Sequence, residues 1–219
     1  MVETSARGAI IFASGMEEKT ISRHFSPDEK GTLLEYVLDS VWTVADEIQV
    51  VFANEPKLSI VEEISSFGAK VVTTPRGVNG SMAIFSAFRS SRAEHCLLVT
   101  ERAPLLKPNV ALFLYDSAHG YDLAIPRWNS GKVEPLLAVY RNKTLLRLVG
   151  ATGGLMAGDI SAEMTSIIDQ IFDVKYVSIE DELGELDPEL DSFLEVSDDA
   201  TLSSAQAKAS IKGRATKAS

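Results

Sequence analysis

Gly8-Ala-Ile-Ile-Phe-Ala-Ser-Gly-Met16 is the stretch on which the reading of this chain turns. An apolar run ends in a turn of small residues, Ala13-Ser14-Gly15. A polar loop follows, and then an amphipathic pattern from about Thr32 to Thr43, with Leu33, Leu34, Val37, Leu38, Val41 and Trp42 on one face. That succession reads as strand, tight turn, loop and helix. A small-residue turn after a parallel strand lets backbone N–H groups come close to a phosphate. The same turn also serves at the end of any buried strand, so the phosphate reading needs support from the rest of the chain.

Outward from this stretch the pattern repeats. Ile48-Gln-Val-Val-Phe-Ala53 is a second strand, turned by Asn54-Glu-Pro56. Leu58, Val61, Ile64 and Phe67 mark a helix ended by Gly68, and Ala69-Lys-Val-Val-Thr73 is a third strand. The loop Thr74-Pro-Arg-Gly-Val-Asn-Gly-Ser81 leads to a helix through Met82, Phe85 and Phe88, and Cys96-Leu-Leu-Val99 is a fourth strand. Strands alternating with helices at this spacing predict a parallel sheet with right-handed crossovers. Pro104 to His119 reads as loop and helix, and Tyr121-Asp-Leu-Ala-Ile125 as a fifth strand. The turn Asn129-Ser-Gly-Lys132 before a sixth strand, Pro135 to Tyr140, predicts a local antiparallel element. Thr144 to Val149 reads as a short helix, the Gly- and Ala-rich Ala151 to Gly158 as a mobile segment, Ser161 to Phe172 as a helix and Val174 to Ile179 as a seventh strand. The acidic segment from Glu180 to Asp191 reads as a solvated linker. A last helix runs through Leu202 and Ala205, and the small, polar, basic residues that follow predict a disordered tail.

The fold class is therefore α/β, a three-layer arrangement around a mainly parallel sheet of about seven strands, in one domain over residues 1–207 with a tail over 208–219. A formal charge of −10 over 219 residues argues against a polyanionic partner such as nucleic acid. There is no apolar run long enough to span a bilayer and no signal-peptide core near Met1, and the one cysteine, Cys96, sits in an apolar run as a core thiol. These features predict a cytoplasmic protein. His24, His95 and His119 have no metal-ligand spacing, and neither a nucleophile elbow, a Walker loop nor the Gly-x-Gly-x-x-Gly fingerprint is present. In an open parallel sheet, ligands bind beyond the carboxyl ends of the strands where strand order reverses. The loops at Ala13-Ser14-Gly15, Asn54, Thr74 to Ser81 and Thr100 to Pro104 are expected to converge there, with Arg76, Glu101 and Arg102 among their residues.

Several pieces then align with one family. Phe12-Ala-Ser-Gly15, Gly31-Thr-Leu-Leu-Glu-Tyr-Val-Leu38, Ala53-Asn54, Gly80-Ser-Met-Ala-Ile84, Arg102-Ala-Pro104, Glu134-Pro-Leu-Leu-Ala-Val-Tyr140 and Phe193 to Leu202 occur in the order of its motifs, over about residues 7–207. The chain resembles the MobA-like nucleotidyltransferases, the molybdenum cofactor guanylyltransferase family. The resemblance implies a GT-A, Rossmann-related sheet and transfer of a nucleotidyl group from GTP or another NTP, such as CTP, to a phosphorylated acceptor such as molybdopterin. It implies Mg²⁺ as cofactor, molybdoenzyme-maturation partners, no membrane, and a monomer or homodimer. Carried over by residue, it implies nucleotide contacts from Phe12, Ala13, Ser14, Gly15, Asn54, Thr74, Gly80, Ser81 and Arg102. Lys30 or Arg23 stands for the catalytic cation, and Glu101 and Glu195 for the metal ligands.

The departures bear on the chemistry. Ser14 replaces a glycine, Ser81 replaces a proline, and the loop cations Lys19, Arg23 and Lys30 are not at the family spacing. The metal-binding Asp position is Arg102, whose guanidinium repels Mg²⁺. Three readings stay open: a divergent nucleotidyltransferase, a noncatalytic nucleotide- or pterin-binding or regulatory protein on the same fold, and another GT-A nucleotidyltransferase.

Overall fold

The computed structural model of the chain describes residues 6–13, 25, 31–52, 54–73, 80–146, 168 and 173–215. Within them the elements run β1 (Arg7–Ala13), α1 (Leu33–Trp42), β2 (Glu47–Phe52), α2 (Leu58–Ser66), β3 (Lys70–Thr73), α3 (Gly80–Ser90) and β4 (His95–Thr100). There follow α4 (Pro108–Ser117), β5 (Leu123–Arg127), β6 (Leu137–Arg141), β7 (Val174–Ser178) and α5 (Asp199–Ala215). Seven strands make one sheet in the order β3-β2-β1-β4-β6-β5-β7. All neighbours are parallel except at β6, which is antiparallel to both β4 and β5.

Alternation along each strand sorts the core into two layers. Ile11, Val50, Leu97 and Val139 face α1, α2 and α4, while Ile10, Val51, Leu98 and Tyr140 face α3. The result is the expected three-layer α/β/α fold of Rossmann and GT-A kind. α1 starts where its capping box sets it: Thr32 Oγ1 accepts from the Glu35 N–H at 3.2 Å, and the Glu35 carboxylate accepts from the Thr32 N–H at 2.6 Å. Leu33, Leu34, Val37, Leu38 and Val41 are buried, as the spacing predicts, but Trp42 is 54% exposed. It sits in the last position of the helix, beyond the edge of the core, with its indole across Gly68.

β1 is the central strand of the parallel half, and its entry demands a glycine. A Cβ on Gly8 would lie 2.8 Å from Ala93 Cβ and 2.9 Å from Cys96 Sγ. From above, the Tyr115 hydroxyl donates to the Gly8 carbonyl at 2.6 Å. The hairpin predicted at Asn129 to Lys132 joins β5 to β6, and the Glu134–Tyr140 motif locks it. Trp128 Nε1 donates to Glu134 Oε1 at 2.6 Å, Lys132 Nζ pairs with the same oxygen at 2.8 Å, and the buried Tyr140 hydroxyl donates to Pro135 O at 2.8 Å.

One expectation about the second half is corrected. The acidic segment is no solvated linker: a π-helical turn, Ile179–Leu183, opens it, and Ile179, Leu183, Asp187 and Asp191 are buried. Its apolar residues, Leu186 and Leu190 included, pack on the α1-side core, which charge counting does not register. The last helix runs from Asp199 to Ala215, and Lys208 on it is tied to Asp191. Residues 142–146 are helical, which covers the start of the helix expected from Thr144 to Val149; residues 147–149 lie outside the described ones. The segment Ala151 to Gly158 and the helix expected from Ser161 to Phe172 lie outside the described residues, except for Ile168, which is buried in the α3-side core.

Two measurements check this core. Gly8→Val should lower stability by about 1–3 kcal/mol, the usual cost of overpacking, seen as a lower urea midpoint at unchanged slope. Burial pushes the Cys96 thiol up to about 12. A thiol reagent at about pH 8 should therefore leave the native protein unlabelled and react with Cys96 only through the unfolding transition.

Candidate functional site

Register alone brings the carboxyl ends of four strands to one rim. Ala13 pairs with Phe52, Phe52 with Thr73, and Phe12 with Thr100. The rim also holds the start of α3. Its last residue and the one after it bond the first half of β2, Ser90 Oγ to Gln49 Oε1 at 2.7 Å and Ser91 Oγ to Glu47 Oε2 at 3.4 Å, so Gly80 lies at the opposite, carboxyl edge. Because β6 runs antiparallel, its beginning, next to Glu134 and Pro135, also reaches this edge, with Leu137 beside Val99. Strand order reverses between β1 and β4, since β2 and β3 lie on one side of β1 and β4 on the other. The first residues past β4 are Glu101 and Arg102.

Those two residues are held in different ways. Glu101 is fully buried: its N–H donates to the Phe12 carbonyl at 3.3 Å, and its carboxylate accepts from Thr100 Oγ1 at 3.0 Å. Arg102 is fixed by its backbone. Its N–H donates to Thr100 Oγ1 at 3.2 Å, and its carbonyl accepts from the Val196 N–H at 2.8 Å. The side chain, 22% exposed, reaches Glu195 Oε2 through Nη2 at 3.4 Å. Its Nε is buried with no hydrogen-bond partner among the described residues.

Whether these residues fit a divalent cation is a question of donor chemistry. Mg²⁺ asks for oxygen ligands at close, octahedral range. Here one candidate carboxylate, Glu195, is paired to a guanidinium, and the other, Glu101, is enclosed and bonded by Thr100. Among the described residues no group of three or more His, Cys, Asp or Glu is placed to hold a metal. The described residues of this rim do not fit Mg²⁺.

A strap from the far edge of the sheet carries Glu195 to Arg102. After β7 the chain passes through the turn Ile179–Leu183 and the 3₁₀ turn Asp191–Phe193. Leu190, with φ 49°, takes a left-handed conformation that a leucine adopts only when its surroundings hold it. Lys107, just before α4, pairs with Asp187, and the Ser192 N–H donates to Asp187 at 2.7 Å. Burial opposes ionisation of Asp187, but the Lys107 and Ser192 donors outweigh it and hold the carboxyl below the usual carboxylate range. Lys208 of α5 pairs with Asp191, and that pairing raises the Lys208 ammonium above its ordinary value. Val196 then enters a small cluster with Phe25, Leu33, Leu105, Leu202 and Ala205. Phe25 comes from the loop after β1; its ring meets Tyr36 edge-on at 4.5 Å and its N–H bonds the Gly31 carbonyl at 2.9 Å.

Further along the rim is a recess of about 370 Å³ whose lining includes Arg127, Trp128, Tyr176, Asp181 and Glu182. The Arg127 guanidinium lies 4.3 Å from the Tyr176 ring centroid. The carboxylates are engaged locally: Asp181 accepts from Ser178 Oγ at 3.0 Å and Glu182 from the Ser178 N–H at 2.7 Å. Trp128 also meets Phe193 edge-on at 5.7 Å, which joins the recess to the strap.

The structure thus brings Ala13, Asn54, Gly80, Glu101 and Arg102 to one edge. The Phe12 and Ala13 side chains are buried in opposite cores, so only their backbone faces the rim, and Asn54 is exposed. Ser14, Gly15, Arg23, Lys30 and Thr74 lie outside the described residues, and Ser81 is described by its helical backbone alone. Sequence reasoning named Thr100 only as the start of a converging loop, and it missed Phe25, Val196 and the Lys107–Asp187 pair. A lone aromatic in a polar loop marked Phe25; the others carry no local signal.

Residues 15–166 match the family model described as the MobA-like NTP transferase domain. A probable molybdenum cofactor guanylyltransferase of Methanosarcina mazei is 28% identical over 199 residues, 88% of this chain and 86% of that protein. The crystal structure of molybdopterin-guanine dinucleotide biosynthesis protein A from Archaeoglobus fulgidus is similar with a TM-score of 0.67 at 23% identity, covering 93% of this chain and 98% of that one. That of 4-diphosphocytidyl-2C-methyl-D-erythritol synthase from Anaerococcus prevotii gives a TM-score of 0.70 at 14% identity, covering 94% and 96%. At these identities the two structures speak for the fold.

The strap can be tested through Asp187. A carboxyl held below its unfolded value stabilises the protein above that value, and the contribution is lost as pH falls through the native one. Asp187→Asn should cost about 1–3 kcal/mol at about pH 7, the range for disrupting a buried hydrogen-bonded group. In urea titrations the gap to the parent protein should begin to narrow as pH falls below the ordinary Asp value and keep closing as pH falls further, through the lowered native one.

Proposed function

Because the chain belongs to the MobA-like NTP transferase family, we propose that it transfers a nucleotidyl group from an NTP, GTP or CTP, to a phosphorylated acceptor of the molybdopterin kind, in molybdenum cofactor biosynthesis. The observation that carries the reading is the rim itself. Four parallel strands end together where strand order reverses, and Arg102 stands at that point. In the reaction an acceptor phosphate oxygen forms a bond to the α-phosphorus. The bond from that phosphorus to the oxygen bridging to the β-phosphorus breaks, and pyrophosphate leaves with the electron pair. The product joins acceptor and nucleotide through a new pyrophosphate link. Charge grows on the departing phosphates, where a fixed cation stabilises it.

The recess by Arg127 and Trp128 is the seat for the acceptor, within the same rim and with one cation stacked on an aromatic ring. The protein would work in the cytoplasm as a monomer or homodimer, beside molybdoenzyme-maturation partners. A second reading, a nucleotide- or pterin-binding protein without catalysis, is favoured by one observation: the Arg102–Glu195 pair at the position the family gives to a metal ligand.

Incubation with GTP, CTP and ATP, each with and without a molybdopterin acceptor, separates the two. Transfer predicts acceptor-dependent pyrophosphate release with one nucleotide. Nucleotide binding without pyrophosphate, with acceptor present, supports the second reading.

A further inference from the structure

The unsatisfied guanidinium nitrogen at the rim carries one inference further. It rests on the reading of this rim as a nucleotide site. We propose that Arg102 is a built-in replacement for the divalent cation, so that the chain binds a nucleoside triphosphate directly through the guanidinium and without Mg²⁺, with Glu195 holding the place of the phosphate until it arrives.

Four observations support it. Arg102 occupies the reversal point of the sheet, where a phosphate is expected. Its backbone is clamped on both sides, by Thr100 Oγ1 at 3.2 Å and the Val196 N–H at 2.8 Å, so the side chain starts from a fixed base. Its contact with Glu195 is a single long one, 3.4 Å from Nη2. Its buried Nε has no partner among the described residues. A guanidinium carries five N–H donors in a fork that fits two phosphate oxygens at once. One part-exposed carboxylate at that distance uses little of this capacity, and exposed ion pairs of this kind are weak. A triphosphate brings more negative charge and more oxygens, so it displaces Glu195. The partnerless Nε shows that the resting pair with Glu195 leaves part of the guanidinium's donor capacity unused.

The charge logic also explains why the pair suits neither partner to a metal. A cation entering beside Arg102 meets a like charge, and Glu195 must break its pairing to bind it. A guanidinium in the same place supplies its positive charge permanently, because it does not deprotonate in the working pH range.

Calorimetric titration of the full chain with GTP and CTP, in excess EDTA and again in millimolar Mg²⁺, tests the proposal. The expected result is binding in EDTA, with Kd changed less than threefold by Mg²⁺. Glu195→Gln should tighten metal-free binding several-fold, because it removes both the competing contact and a like charge facing the phosphates. Arg102→Lys, which keeps the charge and loses the fork, should weaken it about tenfold, and Arg102→Asp should abolish it; thermal melts confirm that the variants fold. Binding that requires Mg²⁺ overturns this inference and leaves the nucleotide reading standing. No binding of either nucleotide in either condition overturns both. Metal-free binding that survives Arg102→Asp shows that the cation lies elsewhere and also overturns it.

Discussion

The position of β1 is the constraint on which the rest depends. It is paired along its length with β2 on one side and β4 on the other, and its alternate side chains enter both cores. A strand used on both edges and both faces has no freedom to slip, because a one-residue shift would exchange the two cores. Its register therefore sets where β2, β3 and β4 end. That common ending makes a rim, and the rim makes a place for a phosphate. The glycine at the entry of β1 is required by the close approach of β4 and the turn before it, through Cys96 and Ala93.

The second half of the chain adds charge to a geometry that the first half supplies. β6 enters antiparallel and brings Glu134 and its hairpin to the same edge. The strap from β7 then returns across the sheet, held by two buried aspartates, each answered by one lysine. Buried carboxylates are tolerable only when paired and hydrogen-bonded. Both conditions hold for Asp187, and together they keep it ionised. The strap ends by placing Glu195 against Arg102, so the electrostatics of the rim depend on a segment that contributes no strand to it.

Much of this could be read in the sequence because it depends on short-range pattern. Apolar runs alternating with helical stripes gave the strand positions, and the turn at Asn129 to Lys132 gave the one reversal of direction. The amphipathic stripe beginning at about Thr32 marked the start of α1. The motif order pointed to Arg102 as the departure that matters, and the coordinates place it at the reversal of strand order. What could not be read depends on encounters between distant segments. Nothing near Asp187 in the sequence says that Lys107 will meet it, and an acidic run looks solvated until its leucines are seen to be buried. The Trp42 error is of another kind: helical phase was right, but the core ends before the last turn.

The small cluster around Val196 draws on residues from both ends of the chain, Phe25 and Leu33 from one and Leu202 and Ala205 from the other. Contacts so far apart in sequence close late in folding, because chain entropy must be overcome before they reward it. During synthesis, all seven strands emerge before α5 does. A nascent chain at that stage has its sheet but lacks the corner that seats Glu195 beside Arg102. The charged centre is in this way complete only once α5 is seated in that corner.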